Sequence, residues 1–180
     1  QVLPKPLIPI ENTTIIEKII SNFRNNGSKN FYVSINYKSK MIRSYFEELK
    51  PTYKVHFIEE KKPLGTIGAI SKLKKIKQND FFITNCDIIA KINYSELYFF
   101  HKKNKFDLTL TASAKNYEVP YGVCELDKSG HLQTLNEKPQ LDFLINIGLY
   151  VIKKNTIKLI PKNKHFDMTD LINKAKKNKL

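Results

Sequence analysis

Apolar and polar positions along the chain fall into short stretches with two different periods. Thr14-Ile15-Ile16-Glu17 fits a capping box, so a helix begins there, and Gly27 suits its end. Phe31, Val33 and Ile35 alternate with their neighbours as on one face of a strand. A second helix is predicted over 38–49, stopped by Lys50-Pro51, and Val55, Phe57 and Glu59 fall in the next strand. A helix is expected after Thr66, running to about Lys75. Phe81-Phe82-Ile83-Thr84 then reads as a strand buried on both faces, and 94–104 as another helix.

Beyond residue 104 the texture changes. Segments 108–114, 122–126 and 131–135 read as strands, the last two joined by a Lys128-Ser129-Gly130 turn. Another strand is predicted at 143–152, with short helices near 155–160 and 169–177. Strand–helix alternation followed by hairpins predicts an α/β fold, doubly wound in its first part and more antiparallel in its second.

With 180 residues and 41% hydrophobic content, the chain can bury one core, and residues 1–180 are expected to form a single domain. No apolar run reaches the roughly 18 residues of a membrane span. The start, Gln1-Val2-Leu3-Pro4, carries neither Met nor a signal segment and reads like the middle of a domain. Cys86 and Cys124 lack metal-type spacing and are expected as free thiols of a cytoplasmic protein.

The net charge of +14 raises nucleic-acid binding as a reading. Its lysines are scattered apart from groups at Lys72, Lys74, Lys75, Lys77 and Lys174, Lys176, Lys177, and arginine occurs only as Arg24 and Arg43. Attraction of small polyanions such as nucleotides is the favoured use of the charge. His56, His101, His131 and His165 are dispersed and read as structural or surface residues, and no Ser-His-Asp or Cys-His arrangement is visible.

Candidate chemistry sits in four phrases. Asp87 follows a buried strand at the end where open α/β sheets place ligands, as a Mg²⁺ ligand or as a turn cap. Gly65-Thr66 ahead of a helix offers close backbone approach to a ligand, or is a glycine turn with a threonine cap. Lys5, stiffened between Pro4 and Pro6, neutralises phosphate or is an exposed loop lysine. Glu137-Lys138-Pro139 pairs a hydroxyl acceptor with a phosphate partner, or is a solvated pair in a turn.

Taken in order, Pro4-Lys5-Pro6-Leu7, Leu64-Gly65-Thr66-x-Gly68-Ala69, Asn85-x-Asp87, Tyr121-Gly122-Val123, Glu137-Lys138-Pro139 and Asn146-x-Gly148-x-Tyr150 resemble the sugar-1-phosphate nucleotidyltransferases. Mannose-1-phosphate guanylyltransferase-like members are among them. The resemblance implies a Rossmann-like three-layer αβα fold with a mostly parallel mixed sheet, truncated at both ends. It assigns Lys5 to the triphosphate, Gly65 and Thr66 with Glu60 to the nucleobase region, and Asp87 to Mg²⁺. Tyr121, Gly122 and Asn146 match positions that hold the sugar; Glu137 would accept from its hydroxyls and Lys138 would hold its phosphate.

The implied reaction joins a nucleoside triphosphate, GTP favoured, to a sugar 1-phosphate and releases pyrophosphate, without a protein nucleophile. The family's Gly-rich loop before Pro-Lys-Pro and its carboxyl-terminal Trp-x-Asp-x-Gly aspartate do not occur here, and Asp167 and Asp170 do not match that context. The chain as given is therefore expected to turn over poorly. A non-catalytic regulatory relative and a basic nucleic-acid-binding module are the alternatives, no membrane partner is expected, and a homo-oligomer stays open.

Overall fold

Helix α1 (Ile15–Asn25) starts where the sequence places it because its first turn supplies its own cap: Thr14 Oγ1 accepts from the Glu17 N–H, and the Glu17 carboxylate accepts from the Thr14 N–H. Its Ile16, Ile19, Ile20 and Phe23 are buried at helical spacing. The chain leaves it through Gly27 at φ +87°, whose N–H donates to the Arg24 carbonyl. The computed structural model describes residues 3–73 and 76–179; Lys74 and Lys75, with the expected helix end at Lys75, lie outside the described residues.

A two-residue hairpin, β1 (Pro9–Ile10) and β2 (Thr13–Thr14), leads into α1. Strands β3 (Asn30–Ile35) and β4 (Lys54–Glu59) run parallel, in register from Asn30↔Lys54 to Ile35↔Glu59, with α2 (Ser39–Leu49) between them in sequence. Leu7, Ile16, Ile20, Ile35, Ile42 and Phe46 form one core, with Phe31, Val33, Val55 and Phe57 packed on it. Strand β5 (Asp80–Thr84) pairs antiparallel with β9 (Gln140–Lys153), which lies between β5 and β6 (Leu108–Glu118). Ile67, Tyr150, Ile152, Ile160, Met168 and Leu171 form a second core beside this mixed sheet. Helix α3 (Tyr94–Lys103) adds Tyr94 to a ring cluster with Phe23 and Phe82, and α4 (Met168–Lys177) buries Met168, Leu171 and Ala175.

The chain forms two compact units, Gln1–Leu110 with Gly148–Leu180, and Thr111–Ile147. The smaller holds β7 (Val123–Leu126) and β8 (Leu132–Asn136), an antiparallel pair whose turn is fixed by Asp127 accepting from the Ser129 and His131 N–H groups. Those backbone bonds, His131 first, hold the Asp127 carboxyl below its ordinary range.

Two expectations are corrected. The helix after Thr66 is a short 3-10 turn, Gly68–Lys72, and the Ile67 and Gly68 N–H groups at its start donate to the Phe166 carbonyl. The short helix expected near 155–160 is present as a 3-10 helix, Lys154–Leu159, halted ahead of Pro161. Phe81–Thr84 is half-buried rather than sealed on both faces; in β5 only Asp80 is buried. Strands β6 and β9 also run longer than their apolar segments. Both cysteines are free and exposed, and no helix among the described residues is long and apolar enough to cross a membrane.

Candidate nucleotide site

Lys5 stands in a 3-10 turn, Lys5–Leu7, held at both ends: the Leu7 N–H donates to the Pro4 carbonyl and the Ile8 N–H to the Lys5 carbonyl. Buried Pro4 and Leu7 anchor the turn, which leaves the Lys5 side chain 64% exposed. Its Nζ lies 3.9 Å from Asp87 Oδ2. An exposed pair at that distance contributes at most about 1 kcal/mol, so both groups remain available to a charged ligand. Asp87 is set three residues past β5, in a turn whose Asn85 N–H donates to the Gly148 carbonyl. Gly148, at φ +79°, has no room for a side chain: a Cβ would fall 2.5 Å from Asn85 Nδ2. Two of the recognised phrases, Asn85-x-Asp87 and Gly148-x-Tyr150, are thus one local structure.

Glu60 follows β4 directly. Its carboxylate accepts from the Leu64 N–H at 2.7 Å and from the Ser34 hydroxyl, while its carbonyl accepts from Asn36 Nδ2 at 2.6 Å. It braces the 60–64 loop against the end of β3, and Ser34 and Asn36 are partners the sequence pattern did not single out.

The Gly65-Thr66 loop is engaged with the start of α4. Thr66 donates its N–H (2.9 Å) and its hydroxyl (3.2 Å) to Asp167 Oδ1, and the same hydroxyl accepts from the Met168 N–H at 2.8 Å. Thr66 is indeed a cap, but of a helix far along the chain. Asp167, set aside at the sequence level for want of a matching motif, is its partner. The hydrogen bonds from Thr66, its N–H above all, hold the Asp167 carboxyl below the ordinary carboxylate range.

Within the smaller unit, Tyr121, Gly122, Glu137 and Lys138 come together. The Lys138 N–H donates to the Tyr121 carbonyl at 3.3 Å, and a Cβ on Gly122 would stand 3.0 Å from Glu137 Oε2. Asn146 lies on β9. Lys5, Glu60, Gly65, Thr66 and Asp87 all belong to the larger unit, and the five sugar-phosphate candidates to the smaller.

Among the described residues no group of three or more His, Cys, Asp or Glu side chains could hold a metal ion. A single carboxylate at 43% exposure still fits Mg²⁺, which is commonly held by one or two carboxylates together with substrate phosphates.

A lysine–carboxylate pair beyond the carboxyl end of a strand lies where open α/β sheets bind their ligands. The chain belongs to the nucleotidyl transferase family, whose profile matches residues 1–179. It is similar to D-glycero-alpha-D-manno-heptose 1-phosphate guanylyltransferase of Campylobacter jejuni, 30% identical over 154 residues, 85% of this chain and 68% of that one. Mannose-1-phosphate guanyltransferase of Yarrowia lipolytica is 30% identical over 168 residues, 88% of this chain and 46% of its own length. Among solved structures, HddC from Yersinia pseudotuberculosis complexed with GMP-PN superposes with a TM-score of 0.69 at 27% identity, covering 92% of this chain and 73% of that one. The chain thus spans about two thirds of the first relative and less than half of the second. The resemblance read from the six phrases, and the α/β nucleotidyltransferase fold it implied, hold. The β3–β4 pair is parallel while β1–β2, β5–β9 and β7–β8 are antiparallel, so the sheets are less parallel than expected.

Proposed function

We propose that the protein transfers a nucleoside monophosphate from a nucleoside triphosphate to a sugar 1-phosphate, with GTP and a hexose or heptose 1-phosphate as the preferred pair. The observation that carries this is the Lys5–Asp87 pair at the end of β5. Both groups are exposed and neither is committed to the fold. The guanylyltransferase relatives support the choice of base and sugar.

In the reaction a phosphate oxygen of the sugar 1-phosphate attacks the α-phosphorus, the bond from that phosphorus to the bridging oxygen of the β-phosphate breaks, and pyrophosphate departs. Lys5 offsets triphosphate charge, and Lys138 with Glu137 receives the sugar phosphate and a sugar hydroxyl. Asp87 would hold Mg²⁺, which when bound would supply charge neutralisation on the phosphates. Glu60 keeps the 60–64 loop in place through Leu64. No protein nucleophile takes part, so catalysis rests on positioning and electrostatics.

The test is pyrophosphate release by the full-length gene product across the common triphosphates and a panel of sugar 1-phosphates. Asp87→Ala should cost at least about a hundredfold in rate, the scale of a lost electrostatic stabiliser. A change below about threefold would remove Asp87 from the site. Silence of the folded wild type across the panel would favour a non-catalytic relative.

A further inference from the structure

The loop assigned to the nucleobase has little freedom of its own. From Leu64 to Gly68 most backbone polar groups have a partner, and most of those partners lie in 166–168. The Leu64 carbonyl accepts from the Phe166 N–H at 2.9 Å, and the Phe166 carbonyl accepts from both Ile67 and Gly68 N–H groups at 3.2 and 3.1 Å. The Leu64 N–H is held by Glu60. Thr66 gives both donors to Asp167 and accepts from Met168.

A threonine has one hydroxyl hydrogen and one backbone N–H to donate. With both on Asp167, Thr66 has no donor left for a base. Gly65 differs: among the described residues its N–H and C=O have no hydrogen-bond partner, and it is only half-buried. One donor and one acceptor on a single residue suit the edge of a base that carries an acceptor beside an N–H. The segment providing the clamp is itself fixed, since Met168 and Leu171 of α4 are 4% and 0% exposed in the second core.

We propose that Asp167 is a positioning residue for nucleotide recognition: through Thr66 it holds the loop so that the Gly65 peptide groups, rather than the Thr66 side chain, meet the nucleobase. This rests on the nucleotidyl-transfer function proposed above. Two further contacts orient the Asp167 segment. Its N–H donates to Asp170 Oδ2 at 2.9 Å, and His165 Nδ1 stands 3.9 Å from Asp167 Oδ2. Without the carboxylate, Thr66 loses the acceptor of both its donors, and the loop becomes free to sample arrangements that do not present Gly65.

The experiment is steady-state pyrophosphate release by the full-length gene product, with GTP varied at saturating sugar phosphate. Asp167→Ala should raise the nucleotide KM about tenfold or more while kcat stays within about threefold, the signature of lost uniform binding. Asp167→Asn keeps an acceptor oxygen for both Thr66 donors and should recover KM to within about threefold of wild type. Thr66→Val keeps the shape and loses the hydroxyl, so it reports on the clamp if Asp167→Ala fails to fold; it should raise KM as well. An unchanged KM in a folded Asp167→Ala, or in Thr66→Val where that variant stands in, overturns the assignment while leaving the proposed reaction intact. So does a fall in kcat at constant KM. A folded wild type that consumes no nucleotide in the panel overturns the proposed reaction and this inference with it.

Discussion

Gly65→Ala should be costly out of proportion to its size. Gly65 sits at φ +78°, where an L-residue with a Cβ is disfavoured by about 1–2 kcal/mol. The new methyl would also fall 2.7 Å from Asp167 Oδ1, 2.7 Å from the Phe166 carbonyl oxygen and 2.9 Å from its carbon. The Asp167 side chain can rotate away, but Phe166 is backbone and is held by three hydrogen bonds to Leu64, Ile67 and Gly68. Forcing atoms into a packed site of this kind costs about 1–3 kcal/mol. The sum is about 2–5 kcal/mol. Gly27→Ala is the control: its φ is +87° and a Cβ there meets nothing within 4 Å, so only the backbone term applies. The unfolded-state effect of Gly→Ala is common to both variants and cancels in the comparison. Urea unfolding should place Gly65→Ala about 1–3 kcal/mol below Gly27→Ala at equal m-value. Repeating Gly65→Ala in an Asp167→Ala background should recover only the side-chain share of the clash. Equal losses for Gly65→Ala and Gly27→Ala would show that the loop and the 166–168 segment are not in contact.

Two titrations carry further expectations. Burial alone would raise the Glu17 carboxyl, but hydrogen bonds from Tyr45, Thr13 and Thr14 outweigh it and hold the carboxyl below its usual range. Its folded pKa therefore lies below its unfolded value of about 4.3, so its stabilisation is complete above that pH and fades as pH falls through the folded pKa. Glu17→Gln should cost about 1–2 kcal/mol at pH 7, with the gap to wild type closing on acidification; a gap that widens as pH falls refutes this. His101 is fully buried, its Nδ1 2.7 Å from Thr109 Oγ1 and its Nε2 3.5 Å from Asp80 Oδ1. Burial pushes its pKa down against the pull of Asp80, so the ring should titrate below about 6.5 and the fold should lose stability as pH drops beneath that value. A nuclear magnetic resonance titration giving a His101 midpoint at or above about 6.5 would refute the assignment.

What could be read from the sequence and what could not divide along one physical line, the distance along the chain over which a conformation is decided. The cap of α1 involves residues 14–17, the β3 alternation residues 31–35, and the β7–β8 turn residues 127–131, so each was visible in its own letters. Lys5 and Asp87 were each flagged by neighbours in sequence, a proline pair and an apolar strand. Their 3.9 Å approach follows from how the Lys5–Leu7 turn and the end of β5 are placed. The helix expected after Thr66 is only a short 3-10 turn, and Thr66 itself bonds to Asp167, 101 residues away. A capping threonine looks the same whether it serves the helix beside it or one at the other end of the unit.

The same distance bears on what makes the Gly65-Thr66 phrase a nucleotide motif at all. Residues 64–68 contain a glycine and a threonine in an order that any turn could use, and their own sequence does not fix where Gly65 faces. Phe166, Asp167 and Met168 do, because they supply four of the loop's partners through backbone groups and one carboxylate. On the proposed assignment, base recognition is encoded in two places, and the second, Phe166-Asp167-Met168, carries no residue that need touch the base. A clamp of this kind constrains the glycine more tightly than ligand contact alone would. The carbonyl of Phe166 excludes a Cβ at Gly65 whether or not a nucleotide is present.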